Sequence, residues 1–149
     1  IRGLAAQIRP GARIALSTHV NADGDGCGSE VALAHLLAQL GATTRIVNPT
    51  PWPEMFRFLL GGPAVDRSDA GARALADVDA LLVVDISDVA RLGTLSDAVR
   101  GLRVPRLVVD HHLPSDEPPG EFVVSDTTAC ATGELVFDLA CVLGLEITP

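Results

Sequence analysis

Seven acidic and histidine residues of this chain form three tight groups. His19 is followed by Asp23 and Asp25, Asp85 stands at the end of an apolar run, and Asp110, His111 and His112 are consecutive. Carboxylates gathered in one place repel one another unless cations sit among them. Imidazole and carboxylate donors suit Mn2+, Zn2+ or iron better than Ca2+, and no Cys is placed to build a thiolate site. Donors of this kind can hold two ions about 3.5–4 Å apart, with a carboxylate such as Asp85 bridging them, an arrangement suited to hydrolysis at phosphorus. Each group alone has an ordinary reading. Asp and Gly after a strand are common turn residues, and Asp25 or Asp85 can cap a helix. The conjunction carries the weight.

The elements around these groups decide whether they meet. Arg13–Ser17, Thr44–Asn48, Asp79–Asp85, Arg106–Asp110 and Glu121–Val124 read as strands, from short apolar runs with polar bounds. Ser29–Leu40 and Thr132–Leu143 read as helices with one apolar stripe, each stopped by a glycine, Gly41 and Gly144. Glu54–Leu60, Ser68–Ala76 and Ser96–Leu102 read as short helices, and Pro114–Gly120 as a loop. Strands separated by helices imply an α/β fold, a doubly wound, mainly parallel sheet with helices on both faces. In such sheets ligands bind at the carboxyl ends of the strands. His19, Asp85 and Asp110 all fall just there. Gly24, Gly26 and Gly28 are expected to turn the chain tightly from strand to helix, where opening amides can receive an anion.

Composition narrows the partners. The chain has 149 residues, 48% of them hydrophobic and 20% charged, enough for a core. Net charge is −8 with a pI near 4.8, which argues against a broad surface for duplex DNA. Aromatics are 3% with no Tyr, so base-stacking platforms are not expected. Three Cys form no disulfide framework and suit a reducing, cytoplasmic setting. Cys27 and Cys130 read as small packing residues and Cys141 as core; His35, inside a helix, reads as structural or exposed. No apolar run is long enough for a membrane span, and no signal peptide is visible. Residues 1–149 read as one domain cut from a longer protein.

The residues resemble the DHH phosphoesterase superfamily. Asp110-His111-His112 matches its signature. His19-Val-Asn-Ala-Asp23-Gly-Asp25 with the glycines after it resembles its first motif, and Val84-Asp85-Ile-Ser-Asp88 with Arg91-Leu-Gly93 its second. Within the superfamily the chain is most similar to bacterial nanoRNases that also act as pAp phosphatases; Thr128-Ala-Cys-Ala-Thr-Gly-Glu134 resembles the helix start after the third motif there. The resemblance implies two Mn2+ ions, with Mg2+ or Co2+ as substitutes. By position it implies His19 and Asp23 on one ion, Asp25 and His111 on the other, and Asp85 between them. His112 would contact the scissile phosphate or assist protonation, and Asp110 would orient an imidazole. Arg91 is a candidate phosphate contact. The implied substrates are short single-stranded RNA or DNA, or small nucleotides such as pAp, and a homodimer is compatible.

One departure stands out. The family's fourth motif supplies a further Asp beyond the helix corresponding to Thr132–Leu143, and a separate C-terminal DHH-associated domain holds the substrate; this chain carries neither, and Asp126 reads as a turn residue. The segment alone is therefore expected to be weakly active or inactive. The competing readings are a non-catalytic nucleotide- or metal-binding module, a pyrophosphatase or exopolyphosphatase, and a structural domain whose acids are mere turns. A receiver-like signalling domain is disfavoured, because the chain has no Lys.

Overall fold

A computed structural model of the chain describes residues 1–147. Five strands form one sheet: β1 (Arg13–Ser17), β2 (Thr43–Ile46), β3 (Ala80–Val84), β4 (Arg106–Asp110) and β5 (Phe122–Ser125), in the order β2-β1-β3-β4-β5. Every pairing is parallel. The helices are α1 (Arg2–Ala5), α2 (Gly24–Ala38), α3 (Ser96–Gly101) and α4 (Thr132–Leu143).

Side chains alternate across the sheet because the strand period is two. Ile14 and Leu16 of β1, Leu82 and Val84 of β3, and Leu107 and Val109 of β4 face one side. There they pack with Leu33 and Leu37 of α2, Leu135 and Leu139 of α4, and Leu4 of α1. Ala15, Leu81 and Val83 face the other side, against Leu75, Leu92, Leu95 and Val99. Both faces of β3 are covered, so all five of its residues are buried. Each fully buried Leu contributes about 1.5–3 kcal/mol. The expected doubly wound architecture is present. β2 lies on one side of β1 and β3 on the other, so the chain reverses direction across the sheet between them. A crevice forms where strand order reverses in this way.

The shorter elements differ from expectation. The Glu54–Leu59 and Ser68–Leu75 segments are 3₁₀ rather than α-helical, and the second is kinked at Gly71, whose φ is 55°. Another 3₁₀ segment, Val89–Leu95, precedes α3. Non-helical backbone at Gly71 and Gly93 breaks two of these three segments. α2 begins at Gly24 and not at Ser29, because Asp23 caps it: its side chain accepts from the amides of Asp25 and Gly26. The glycines after Asp23 therefore sit inside the helix rather than in a loop. Of these, Gly26 meets the tightest neighbour: a Cβ there would lie 2.7 Å from Thr18 Oγ1. Cys27 is buried, as expected, and its thiol is pushed up to about 12 by burial. Cys130 and Cys141 are exposed, so neither packs in the core. His35 is exposed. No helix among the described residues is long and apolar enough to cross a membrane.

A buried polar strut ties α2 to the ends of β1 and β2. Asn48 Nδ2 donates to Glu30 at 2.9 Å, and Asn48 Oδ1 accepts from the Thr18 amide at 2.9 Å. Glu30 is fully buried, and burial raises its pKa from 4.5 to about 8. A carboxyl whose folded pKa is raised takes up a proton on folding. Its stability is full below pH 4.5 and is lost as pH rises toward about 8. In Glu30→Gln that slope is absent. Thermal melts from pH 4.5 to 8 should show the variant gaining on the parent steadily with pH, and parallel curves would refute a buried titrating Glu30.

Candidate metal centre

Asp85 follows β3 and is 2% exposed, with a left-handed φ of 63°. A non-glycine residue in that region costs of order 1–3 kcal/mol and persists only where its surroundings over-determine it. Its carboxylate lies at the centre of the three donor groups. Oδ2 is 3.5 Å from His19 Nε2, and Oδ1 is 3.6 Å from His111 Nε2 and 3.7 Å from His112 Nδ1. The sheet order explains the meeting. β3 lies between β1, which leads into His19, and β4, which ends at Asp110.

His19 and His111 have a partner at the nitrogen turned away from Asp85, whereas His112 uses the same Nδ1 for Asp110. His19 Nδ1 donates to the Val20 carbonyl at 2.8 Å, which leaves Nε2 facing Asp85 and, at 3.8 Å, Asp23 Oδ2. His111 Nδ1 lies 3.4 Å from the Ala129 carbonyl, and its Nε2 faces Asp25 Oδ2 at 3.6 Å. His112 Nδ1 donates to Asp110 Oδ1 at 2.7 Å, so only its Nε2 is uncommitted. A ring nitrogen fixed by a carbonyl or carboxylate is the usual support of a metal-binding imidazole. The second oxygen of Asp110 is buried without a hydrogen-bond partner among the described residues.

The electrostatics follow from these neighbours. Asp85 beside the ring raises the His19 pKa, against the lowering effect of burial. Burial pulls Asp23 upward, but amide donation from Gly26, the charge of His19 and amide donation from Asp25 hold it below its ordinary value. Arg91 is exposed, and its charge reaches both His19 and Asp23. Its guanidinium makes no hydrogen bond or ion pair among the described residues.

Two sets of donors come together, and Asp85 belongs to both: His19, Asp23 and Asp85 form one, and Asp85, His111 and His112 the other. Within each, the donor atoms lie within 4.8 Å of one another. The separations from Asp85 exceed ordinary hydrogen bonds. They resemble the spacing of about 3–3.5 Å expected of donors around an ion with bonds near 2.1 Å. The donor set therefore fits divalent ions. His112 Nδ1 lies 3.7 Å from Asp85 but is taken by Asp110 at 2.7 Å, so its Nε2 remains for other chemistry. Asp25 lies beside His111 but is held differently. Its two oxygens accept from the Thr132 and Gly133 amides at 2.8 and 3.0 Å. It thus caps α4, whose own N-cap residue, Ala131, offers no side-chain bond. Asp126 accepts from the Thr128 amide and hydroxyl, a turn role as expected. Thr132, unassigned by motif spacing, donates its hydroxyl to Asp85 Oδ1 at 3.0 Å. Its sequence signals were its place at the start of a helix and inside the Thr128–Glu134 stretch that resembles the helix start after the third motif.

The chain matches the family described as "DHH family, N-terminal domain" over residues 13–148. It is similar to an exopolyphosphatase-related protein from Bacteroides fragilis, with a TM-score of 0.79 and 25% identity over 89% of this chain and 40% of that one. It is also similar to exonuclease RecJ bound to manganese, with a TM-score of 0.61 and 26% identity over 95% of this chain and 36% of that one. RecJ from Thermus thermophilus in complex with Mn2+ shares the fold, at a TM-score of 0.60 and 23% identity over 95% of this chain and 20% of that one. This chain thus spans less than half the length of each. The family match takes in every donor around Asp85, and the chain belongs to the DHH family, corresponding to its N-terminal domain.

Proposed function

We propose that this domain is the metal-binding half of a phosphoesterase that hydrolyses short oligonucleotides or small nucleotides such as pAp. The observation that carries the reading is the buried, left-handed Asp85 shared by two donor sets. Two Mn2+ ions are the proposed cofactors. When bound, such ions lower the pKa of water and neutralise charge on phosphoryl oxygens. His19 and Asp23 would hold one ion, Asp25 and His111 the other, and Asp85 both. The manganese bound to a RecJ neighbour supports the choice of metal.

The remaining roles fall to groups not committed to metal. Asp110 fixes the His112 ring through Nδ1, which leaves Nε2 to protonate the leaving oxygen or hold the scissile phosphate. Arg91 would hold a phosphate; its exposure, its lack of an acidic partner among the described residues and the reach of its charge to His19 and Asp23 support that role. A domain outside this chain would supply most substrate contacts, in line with the small share of each neighbour that the chain spans. The acidic net charge of −8 favours short or small substrates over duplex DNA. A cytoplasmic setting and a homodimer belong to the same reading. A second reading, hydrolysis of polyphosphate, is supported by the exopolyphosphatase-related neighbour. Phosphate release from pAp, a short RNA, pyrophosphate and polyphosphate under Mn2+ separates these; binding without release from any of them would leave a non-catalytic module.

Asp85→Asn keeps the shape and tolerates the left-handed backbone, so the variant should fold. In the natural full-length polypeptide it should lose Mn2+-dependent hydrolysis and the Mn2+-induced rise in melting temperature. Retention of both would remove the bridging role. His112→Ala should lower kcat by about 10²–10⁴-fold while calorimetry shows Mn2+ binding within a few-fold of the parent. A large loss of Mn2+ affinity instead would place His112 among the ligands.

A further inference from the structure

Thr132 is fully buried at the first turn of α4, and it touches two acids from distant parts of the chain. Its amide donates to Asp25 Oδ2 at 2.8 Å, 107 residues away in sequence, and its hydroxyl to Asp85 Oδ1 at 3.0 Å, 47 residues away. The next amide, Gly133, donates to Asp25 Oδ1 at 3.0 Å. We infer that Thr132 is a positioning residue of the metal centre, setting the carboxylates of Asp85 and Asp25 relative to each other. The inference rests on the metal-centre reading above.

The physical case is one of free rotation and lone pairs. A carboxylate oxygen carries two lone pairs. A fixed donor on one of them sets the rotation of the whole group and aims the remaining lone pairs. Asp85 Oδ1 has the Thr132 hydroxyl as its close donor, since the histidine nitrogens stand at 3.6 and 3.7 Å. Asp25 is fixed by backbone amides, which no side-chain replacement at 132 removes. The hydroxyl is therefore the separable part of the device. α4 itself is anchored to the sheet by Leu135, Val136 and Leu139, so its N-terminus is a stiff reference point. One helix end thus holds an acid from α2 and an acid from the end of β3 in a single frame.

The test compares Thr132→Val, which keeps the shape and loses the hydroxyl, with Thr132→Ser, which keeps the hydroxyl and loses a methyl. Both are made in the natural full-length polypeptide. Mn2+ affinity and stoichiometry are read by calorimetry, and the metal-free fold by circular dichroism and melting. The valine variant should bind Mn2+ about 10-fold more weakly, at the lower end of effects seen for groups that orient metal ligands. The serine variant should stay within about threefold of the parent, and both metal-free folds should match the parent. A packing role would reverse the order of the two variants and overturn the inference. Should the valine variant fail to fold, serine against alanine repeats the comparison, since both lack the methyl and differ in the hydroxyl. Parental Mn2+ binding with equal affinity in valine, or in alanine, overturns the inference alone. No Mn2+ binding by the parent overturns the metal-centre reading and this inference with it.

Discussion

A buried carboxylate is the constraint from which the rest of this molecule follows. Asp85 sits almost out of solvent with its backbone in the left-handed region. Burying an ionised carboxylate is expensive unless it is paired and hydrogen-bonded. Here the compensation comes from imidazoles on the loops after β1 and β4 and from one hydroxyl on α4. None of these partners is near Asp85 in sequence; the sheet gathers them by setting β3 between β1 and β4. The all-parallel order is therefore more than scaffolding. An antiparallel neighbour would send its loop to the opposite edge and take its histidine away from Asp85.

The two acids of the first motif divide their work. Asp23 caps α2, the helix that follows it, while Asp25 caps α4, 107 residues on. Helix N-termini carry unpaired amides and a partial positive charge, so both carboxylates sit where the backbone favours them. The same two groups lie 3.8 and 3.6 Å from His19 and His111. Capping thus holds negative charge beside the imidazoles that a cation centre needs, and lowers the cost of gathering it. The strut from Glu30 through Asn48 to the Thr18 amide anchors the residue before His19 in the same way.

Strands and the two long helices were legible because their patterns repeat. Continuous apolar runs marked β3 and β4, and an apolar stripe closed by Gly144 marked α4, which ends with that glycine in the left-handed conformation. The 3₁₀ segments carry too few residues for a period to show, and Gly71 kinks one of them. Cys130 and Cys141 differ from the sequence reading because the packing of a small residue depends on which neighbours arrive, and among the described residues both are exposed. The glycines after Asp23 misled because a cap can start a helix several residues before its apolar stripe begins.

The sequence by itself determined the kinds of donor, their order, and their places at strand ends, since residue types and a period of two are local properties. It also carried the family, because three spaced motifs survive without coordinates. Only the tertiary structure decided that Asp25 closes α4, that Thr132 reaches Asp85, that Asp110 occupies one nitrogen of His112, and that Asp85 adopts its left-handed backbone. The first two are contacts between segments dozens of residues apart, and the other two are conformations that the surrounding strand ends impose. Local spacing holds no record of them, because they exist only once the sheet has placed its strand ends side by side.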